Sequence, residues 1–246
     1  MIQHQSAVKQ TALEETLPDT LVRWSTEAAD LEKQGAYDWL SSRVRADRVL
    51  EIGCGFGHST AALAKRGKTI FALDNRMDCL EATRERVPDA TYGLADIRQI
   101  HELLIKDLNE FAPEAMVLWI AGAPADALPR DVPEQYAVMQ YRLAFQQAAV
   151  ALAGQIDSIR TVHLADRTAL PWVMKDAGRQ TMMQLIATSV ISHAPFGISL
   201  PNVQFRKLSL PTASLHHAMP ANVVPVLGEA TLERKQTVAS STGLIK

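Results

Sequence analysis

Cysteine is scarce in this chain, and so are the features that mark a protein for secretion, for the bilayer or for nucleic acid. Cys54 and Cys79 are its two cysteines, too few for a disulfide framework or a four-thiolate metal site. No apolar run approaches the roughly 20 residues of a bilayer crossing. The opening stretch MIQHQSAVKQTALEE is polar and has no secretory apolar core. Neither sign of charge dominates: 25 Lys and Arg against 27 Asp and Glu leave a formal charge of -2. That balance supplies no overall pull towards nucleic acid or an anionic membrane, although a local basic patch stays open. Internal repeats and low-complexity blocks are absent as well. A cytoplasmic protein without membrane partners is expected. Its 246 residues, 47% of them apolar, suffice for one large α/β domain but not for two.

The chain opens with helical spacing. Leu21, Val22, Trp24, Ala28 and Leu31, then Tyr37, Trp39 and Leu40, recur near a period of 3.6, broken at Gly35. The pattern then changes. Strands are expected at 48–52, 69–74, 91–95, 115–120 and 159–164, with helices between them at 59–64, 79–87, 101–111 and 135–152. A last helix is expected over 174–192. Ile198–Leu200 and Val203–Leu210 read as a closing strand pair around Pro201-Asn202. Strands alternating with helices imply a Rossmann-like, doubly wound, mainly parallel sheet with an antiparallel edge hairpin. The expected organisation is a helical cap over 1–43, the sheet domain over 44–210, and an arm or tail over 211–246, where the period is lost.

The chemistry concentrates between the first strand and the helix after it, in Glu51-Ile52-Gly53-Cys54-Gly55-Phe56-Gly57-His58. Three alternate glycines let the backbone turn sharply with no side chain in the way, so a ligand can lie against the main chain. The first helical amides can also meet a negative group. A dinucleotide loop places its third glycine three residues after the second; His58 occupies that position, which counts against a nicotinamide dehydrogenase. Asp74 closes the second strand about 20 residues on, where an acid in such folds takes ribose hydroxyls. A turn-forming role before Asn75 competes. Asp96, after the third strand, is placed to accept from an adenine amino group, with Met77 and Ile97 as apolar walls, or to cap a helix. All three features follow successive strands at their carboxyl ends, the edge where open α/β sheets bind ligands.

These residues resemble the class I S-adenosylmethionine-dependent methyltransferase superfamily, over roughly Val44 to Leu210. Glu51–Gly57 is similar to its first motif, Asp74 to its second-strand acid, and Ala95-Asp96-Ile97 to its adenine-contacting segment. The resemblance implies S-adenosylmethionine as cofactor. Glu51, Gly53, Gly55 and Gly57 would shape the pocket for its methionine portion, Asp74 would hold the ribose, and Met77, Ala95, Asp96 and Ile97 the adenine. The fourth strand departs from relatives that methylate DNA. It ends Trp119-Ile120-Ala121-Gly122-Ala123-Pro124, with neither the Asp-Pro-Pro-Tyr type of tetrapeptide nor a Pro-Cys nucleophile. The acids and Asn of the metal-dependent catechol-type enzymes are not assembled either, and no metal is expected.

Methyl transfer from such a cofactor is mainly a matter of holding a nucleophile in line, worth about 7–11 kcal/mol. A base adds roughly 10²–10⁴-fold where a proton must leave. His163 and Asp166, near the carboxyl end of the fifth strand, and His58 beside the glycine loop are the candidate bases. A hydrogen-bonded core role is the stronger reading for His163. Asp126 and Tyr136 can border an acceptor pocket, and Trp24, Tyr37, Trp39, Met139 and Tyr141 can cap it or serve helix packing. His216-His217 has no third ligand nearby. The expected activity is methyl transfer to a small molecule, with cap helices and the 124–136 insert as lid. Two alternatives remain at this point: methylation of RNA, DNA or protein, for which a basic groove around Arg23, Arg43, Arg45 and Arg48 would speak, and an inactive cofactor-binding interaction module.

Overall fold

Strands that are apolar at consecutive positions need cover on both faces, and the helices of this chain supply it. A computed structural model describes residues 16–209 and 222–236. Two helices come first, α1 (Leu17–Lys33) and α2 (Ala36–Ser41). Thr16 caps α1 by accepting from the Asp19 amide, and the break at Gly35 is held by Arg206, which donates to the Gln34 and Gly35 carbonyls. The alternating part follows as β1 (Arg48–Ile52), α3 (His58–Ala64), β2 (Thr69–Asp74), α4 (Met77–Arg86), β3 (Thr91–Leu94), α5 (Glu102–Phe111), β4 (Ala115–Trp119), α6 (Glu134–Gln155) and β5 (Thr161–Pro171). Then come α7 (Lys175–Leu185), which runs into a π-helical turn at Ile186–Val190, and β6 (Phe196–Gly197), β7 (Val203–Lys207) and β8 (Val223–Arg234). No described helix is long and apolar enough to cross a membrane.

The sheet runs β3-β2-β1-β4-β5-β8-β6, with β7 also on β8. Pairings from β3 to β5 are parallel, and those made by β8 are antiparallel. The doubly wound, mainly parallel sheet with an antiparallel edge is therefore as expected. Its order reverses between β1 and β4, which opens a crevice at their carboxyl ends. Period-two alternation splits the core in two. Leu50, Ile52, Met116, Leu118, Val162 and Leu164 face one apolar cluster. Val49, Val117, Ala165 and Leu227 face the other, together with Leu31, Leu40 and Leu63 from α1, α2 and α3.

The carboxyl-terminal part departs from the sequence reading. Residues from 211 were expected as an arm, yet β8 lies inside the sheet, paired with β5 from Thr161↔Glu233 to Pro171↔Val223. The expected hairpin between 198–200 and 203–210 does not form: Leu200–Asn202 is a 3₁₀ turn, and β6 and β7 both pair with β8. Three residues disguise β8. Pro225 and Gly228 read as strand breakers, and Glu229 as a surface charge. Gly228 is required by close packing, since a Cβ there would sit 2.8 Å from the Phe205 ring. Glu229, fully buried, is met by the Arg43 guanidinium, by His163 Nδ1 at 3.0 Å and by the Thr231 hydroxyl at 2.8 Å. His216-His217 lies outside the described residues.

Removing one member of a buried ion pair leaves the others uncompensated. Glu229→Ala is expected to lower the unfolding free energy by about 3–5 kcal/mol in urea titration. A loss of under about 1 kcal/mol, the scale of an ordinary surface pair, would mean that this cluster does not anchor β8.

Candidate functional site

Gly53, Gly55 and Gly57 all adopt left-handed φ, of 72°, 53° and 77°, where a side chain is strained. They serve two ends. A Cβ at Gly53 or Gly55 would meet nothing within 4 Å, so the backbone there is bare towards the cleft. A Cβ at Gly57 would sit 3.0 Å from Thr83 Cα, so this glycine lets α4 approach the loop and does not line the cleft. The loop is pinned to β2: the Gly53 amide donates to the Leu73 carbonyl at 2.7 Å, and the Gly55 amide to Asp74 Oδ2 at 3.0 Å. Thr83 and Arg86 of α4 hold the Gly55 and Phe56 carbonyls from the other side.

Asp74 ends β2 with its second oxygen accepting from the Arg76 amide at 3.0 Å. Burial pushes its carboxyl above the ordinary range, against the pull of the Gly55 and Arg76 amides. A carboxylate offers about four acceptor sites, so it retains capacity for ligand hydroxyls. Ala95, Asp96 and the buried Ile97 follow β3 into the same cleft, where Arg98 grips Asp96 and lowers its pKa. Met77 does not join them. It is half exposed and absent from the cleft wall, because at the first position of α4 its side chain points to solvent; Asn75 and Arg76 line the cleft instead.

Glu51 also stays out of the cleft wall. It lies beneath the loop, 2% exposed, accepting from the Thr60 hydroxyl at 2.7 Å. Burial lifts its carboxyl to about 7, with the Ser59 and Thr60 hydroxyls pulling it down and Asp74 adding to the rise.

The cleft encloses about 1080 Å³, counting its open mouth. One turn-spaced stripe of α1 covers it: Trp24, Glu27, Ala28 and Leu31. Trp24 packs on the backbone after β4, where a Cβ at Gly122 would fall 2.2 Å from its ring. Tyr37, Trp119, Ile120, Tyr141, Phe145 and Arg167 complete the wall. A bare glycine cradle, a buried acid at the end of β2 and a carboxylate beside an apolar wall after β3 fit the adenosyl ligand that the sequence resemblance implies.

Residues 49–131 match the family described as a methyltransferase domain. Relatives of the chain include proteins named trans-aconitate 2-methyltransferase. One from Afipia carboxidovorans is 38% identical over 53% of this chain and 62% of its own length. Another, from Variovorax paradoxus, is 32% identical over 48% and 52%, and one from Mycobacterium tuberculosis is 34% identical over 45% and 54%. The chain thus spans between half and two thirds of these relatives' lengths.

The matched residues and the strands after them do not bring the three candidate bases together. His163 is 3% exposed and bonded to Glu229 on the face under α2, away from the cleft. Asp166 turns to the opposite side, into a small neighbouring cavity, where Arg142 pairs with it at 3.0 Å. Only His58 lines the cleft. Its Nδ1 lies 3.0 Å from Glu32 Oε2 without hydrogen-bond alignment, and burial and the nearby Arg86 lower its pKa. Asp126, Tyr136, Trp39 and Met139 do not line the cleft, whereas Trp24, Tyr37 and Tyr141 do. The sequence reading missed Glu27, Phe145 and Arg167. The helical spacing Trp24, Glu27, Ala28, Leu31 carried a signal for Glu27. Arg167 carried none, because the fifth strand was expected to stop at Leu164.

Because Glu51 titrates near 7 in the fold against an ordinary 4.5, the folded state holds its proton more tightly. Its contribution to stability is complete below about 4.5 and is lost as pH rises through about 7. The loss is on the order of 3 kcal/mol. Urea titrations from pH 5 to 8 should show a stability decline in the wild type that Glu51→Gln flattens. Equal slopes in the two proteins would refute the assignment.

Proposed function

We propose that this chain is an S-adenosylmethionine-dependent methyltransferase acting on a small carboxylic acid. The observation that carries the cofactor reading is the placement of three unlike elements on one edge: the bare backbone at Gly53 and Gly55, Asp74, and Asp96 with Ile97, each following a successive strand. When bound, the cofactor supplies a methyl group already activated by its sulfonium charge. Gly53 and Gly55 admit its methionine portion against the main chain, Asp74 accepts from the ribose hydroxyls, and Asp96 and Ile97 receive the adenine. Glu51 braces the loop from below through Thr60. Trp24, Tyr37 and Trp119 exclude water from the reacting end, which strengthens electrostatic interactions there.

Two observations support the acceptor class. The relatives' printed names specify a carboxylate substrate. A carboxylate also reaches the site deprotonated at neutral pH, so positioning suffices, in agreement with the removal of His163 and Asp166 from the cleft. A macromolecular acceptor gains little support. Of the arginines that would line a basic groove, Arg23 pairs with Glu27, Arg43 with Glu229 and Arg48 with Glu114, Arg45 is exposed, and none of the four lines the cleft.

Calorimetric titration with S-adenosylhomocysteine tests the cofactor site. The wild type is expected to bind, and Asp74→Asn to bind roughly 10- to 100-fold more weakly, the worth of hydrogen bonds to a charged acceptor. Equal affinity would remove Asp74 from the ribose site, and no binding by the wild type would end the cofactor reading. Incubation with labelled methyl donor and trans-aconitate should place label in the small molecule; label confined to protein or nucleic acid would reverse the acceptor class.

A further inference from the structure

Strand β5 outlasts its neighbour. Its last partner on β4 is the Trp119↔Ala165 pair, and from Asp166 to Pro171 it is paired with β8 alone. Successive residues of a strand face opposite sides. Asp166 therefore turns towards α6 and Arg142, and Arg167 turns towards α1, on the same face as Ala165 and Trp119 and above the carboxyl edge. There the guanidinium lines the cleft and meets Glu27 Oε2 of α1 at 2.9 Å. The other Glu27 oxygen is taken by Arg23 at 3.3 Å.

We propose that Arg167 is the receptor for the acceptor's carboxylate, and that Glu27 is its built-in stand-in, exchanged for that carboxylate when the acceptor binds. This rests on the function proposed above. The exchange is electrically neutral. Arg167 trades one carboxylate for another, and Glu27 keeps Arg23, so neither partner is left as an uncompensated charge in the cleft, the outcome that makes breaking such pairs costly. Planar bidentate recognition of a carboxylate suits a guanidinium better than any other side chain.

Neutral donors share the same wall. Trp119 is 6% exposed, and its indole N–H has no hydrogen-bond partner among the described residues. Tyr37 lines the cleft and, of the charged groups that act on it, Arg167 acts most strongly. Burial raises its pKa far enough that the phenol remains an O–H donor at neutral pH. A cation with two neutral donors is suited to an anionic oxygen group. Glu27 belongs to α1 and not to the sheet, so the pair can open without disturbing the core strands.

The test is calorimetry on protein saturated with S-adenosylhomocysteine, with trans-aconitate and then succinate as probes. The wild type is expected to bind trans-aconitate. Arg167→Gln should weaken that binding by at least roughly 30-fold, the loss seen when one partner of a buried charge pair is truncated. Arg167→Lys should recover part of it. Glu27→Gln should tighten it severalfold, because the internal competitor is gone. Affinity for S-adenosylhomocysteine should stay within about threefold in all variants, which separates loss of the receptor from loss of the fold. Trans-aconitate binding by Arg167→Gln within threefold of the wild type would overturn the receptor and leave the proposed function standing. Weakening by Glu27→Gln would overturn the exchange. Binding of S-adenosylhomocysteine without either acid would overturn the receptor together with the acceptor class, while failure to bind S-adenosylhomocysteine would bring down the methyltransferase reading itself.

Discussion

The tether between the glycine loop and β2 is the constraint on which the site depends. Gly53 and Gly55 leave the first strand with their amides turned to Leu73 and Asp74, and three left-handed residues within five positions would otherwise be free to collapse. Anchoring them to a neighbouring buried strand turns a flexible stretch into a fixed, side-chain-free surface. The same contact orients Asp74, whose carboxylate is a structural acceptor and a cleft-lining group at once. Burial beneath this loop also explains why Glu51 holds its proton to about 7: a second full charge close to Asp74, with little water, is unfavourable.

Charge pairs in the molecule fall into a buried kind and a partly exposed kind. Glu229, with Arg43 and His163, locks β8 to β5 and to the segment after α2, and is fully buried. Glu27 with Arg167, and Glu32 with His58 and Arg86, join α1 to the cleft rim and remain partly exposed. Pairs of the first kind are costly to break, and those of the second kind can open within the reach of a ligand's binding energy.

Local sequence made the cleft edge legible. Glycine spacing, the acid after β2 and Ala95-Asp96-Ile97 after β3 each depend on a few consecutive residues, and the alternation of strands and helices placed them on one edge. Met77 failed because which face of a helix turns inward is set by the partner it packs against. Strand β8 failed because its breakers, Pro225 and Gly228, are tolerated through contacts with β7 and α7, and its charge, Glu229, through partners 66 and 186 residues away.

The sequence by itself determined the fold class, the bare loop and the acids that accompany it, since backbone freedom and strand periodicity are encoded locally. Only the tertiary structure decided which titratable groups meet. It removed His163 and Asp166 from the cleft, brought Glu27 to Arg167 across 140 positions of chain, and set Trp119 and Tyr37 in the same cleft wall. Side-chain pairing across a sheet and its cover depends on register and facing, and a one-residue change in either would exchange every partner.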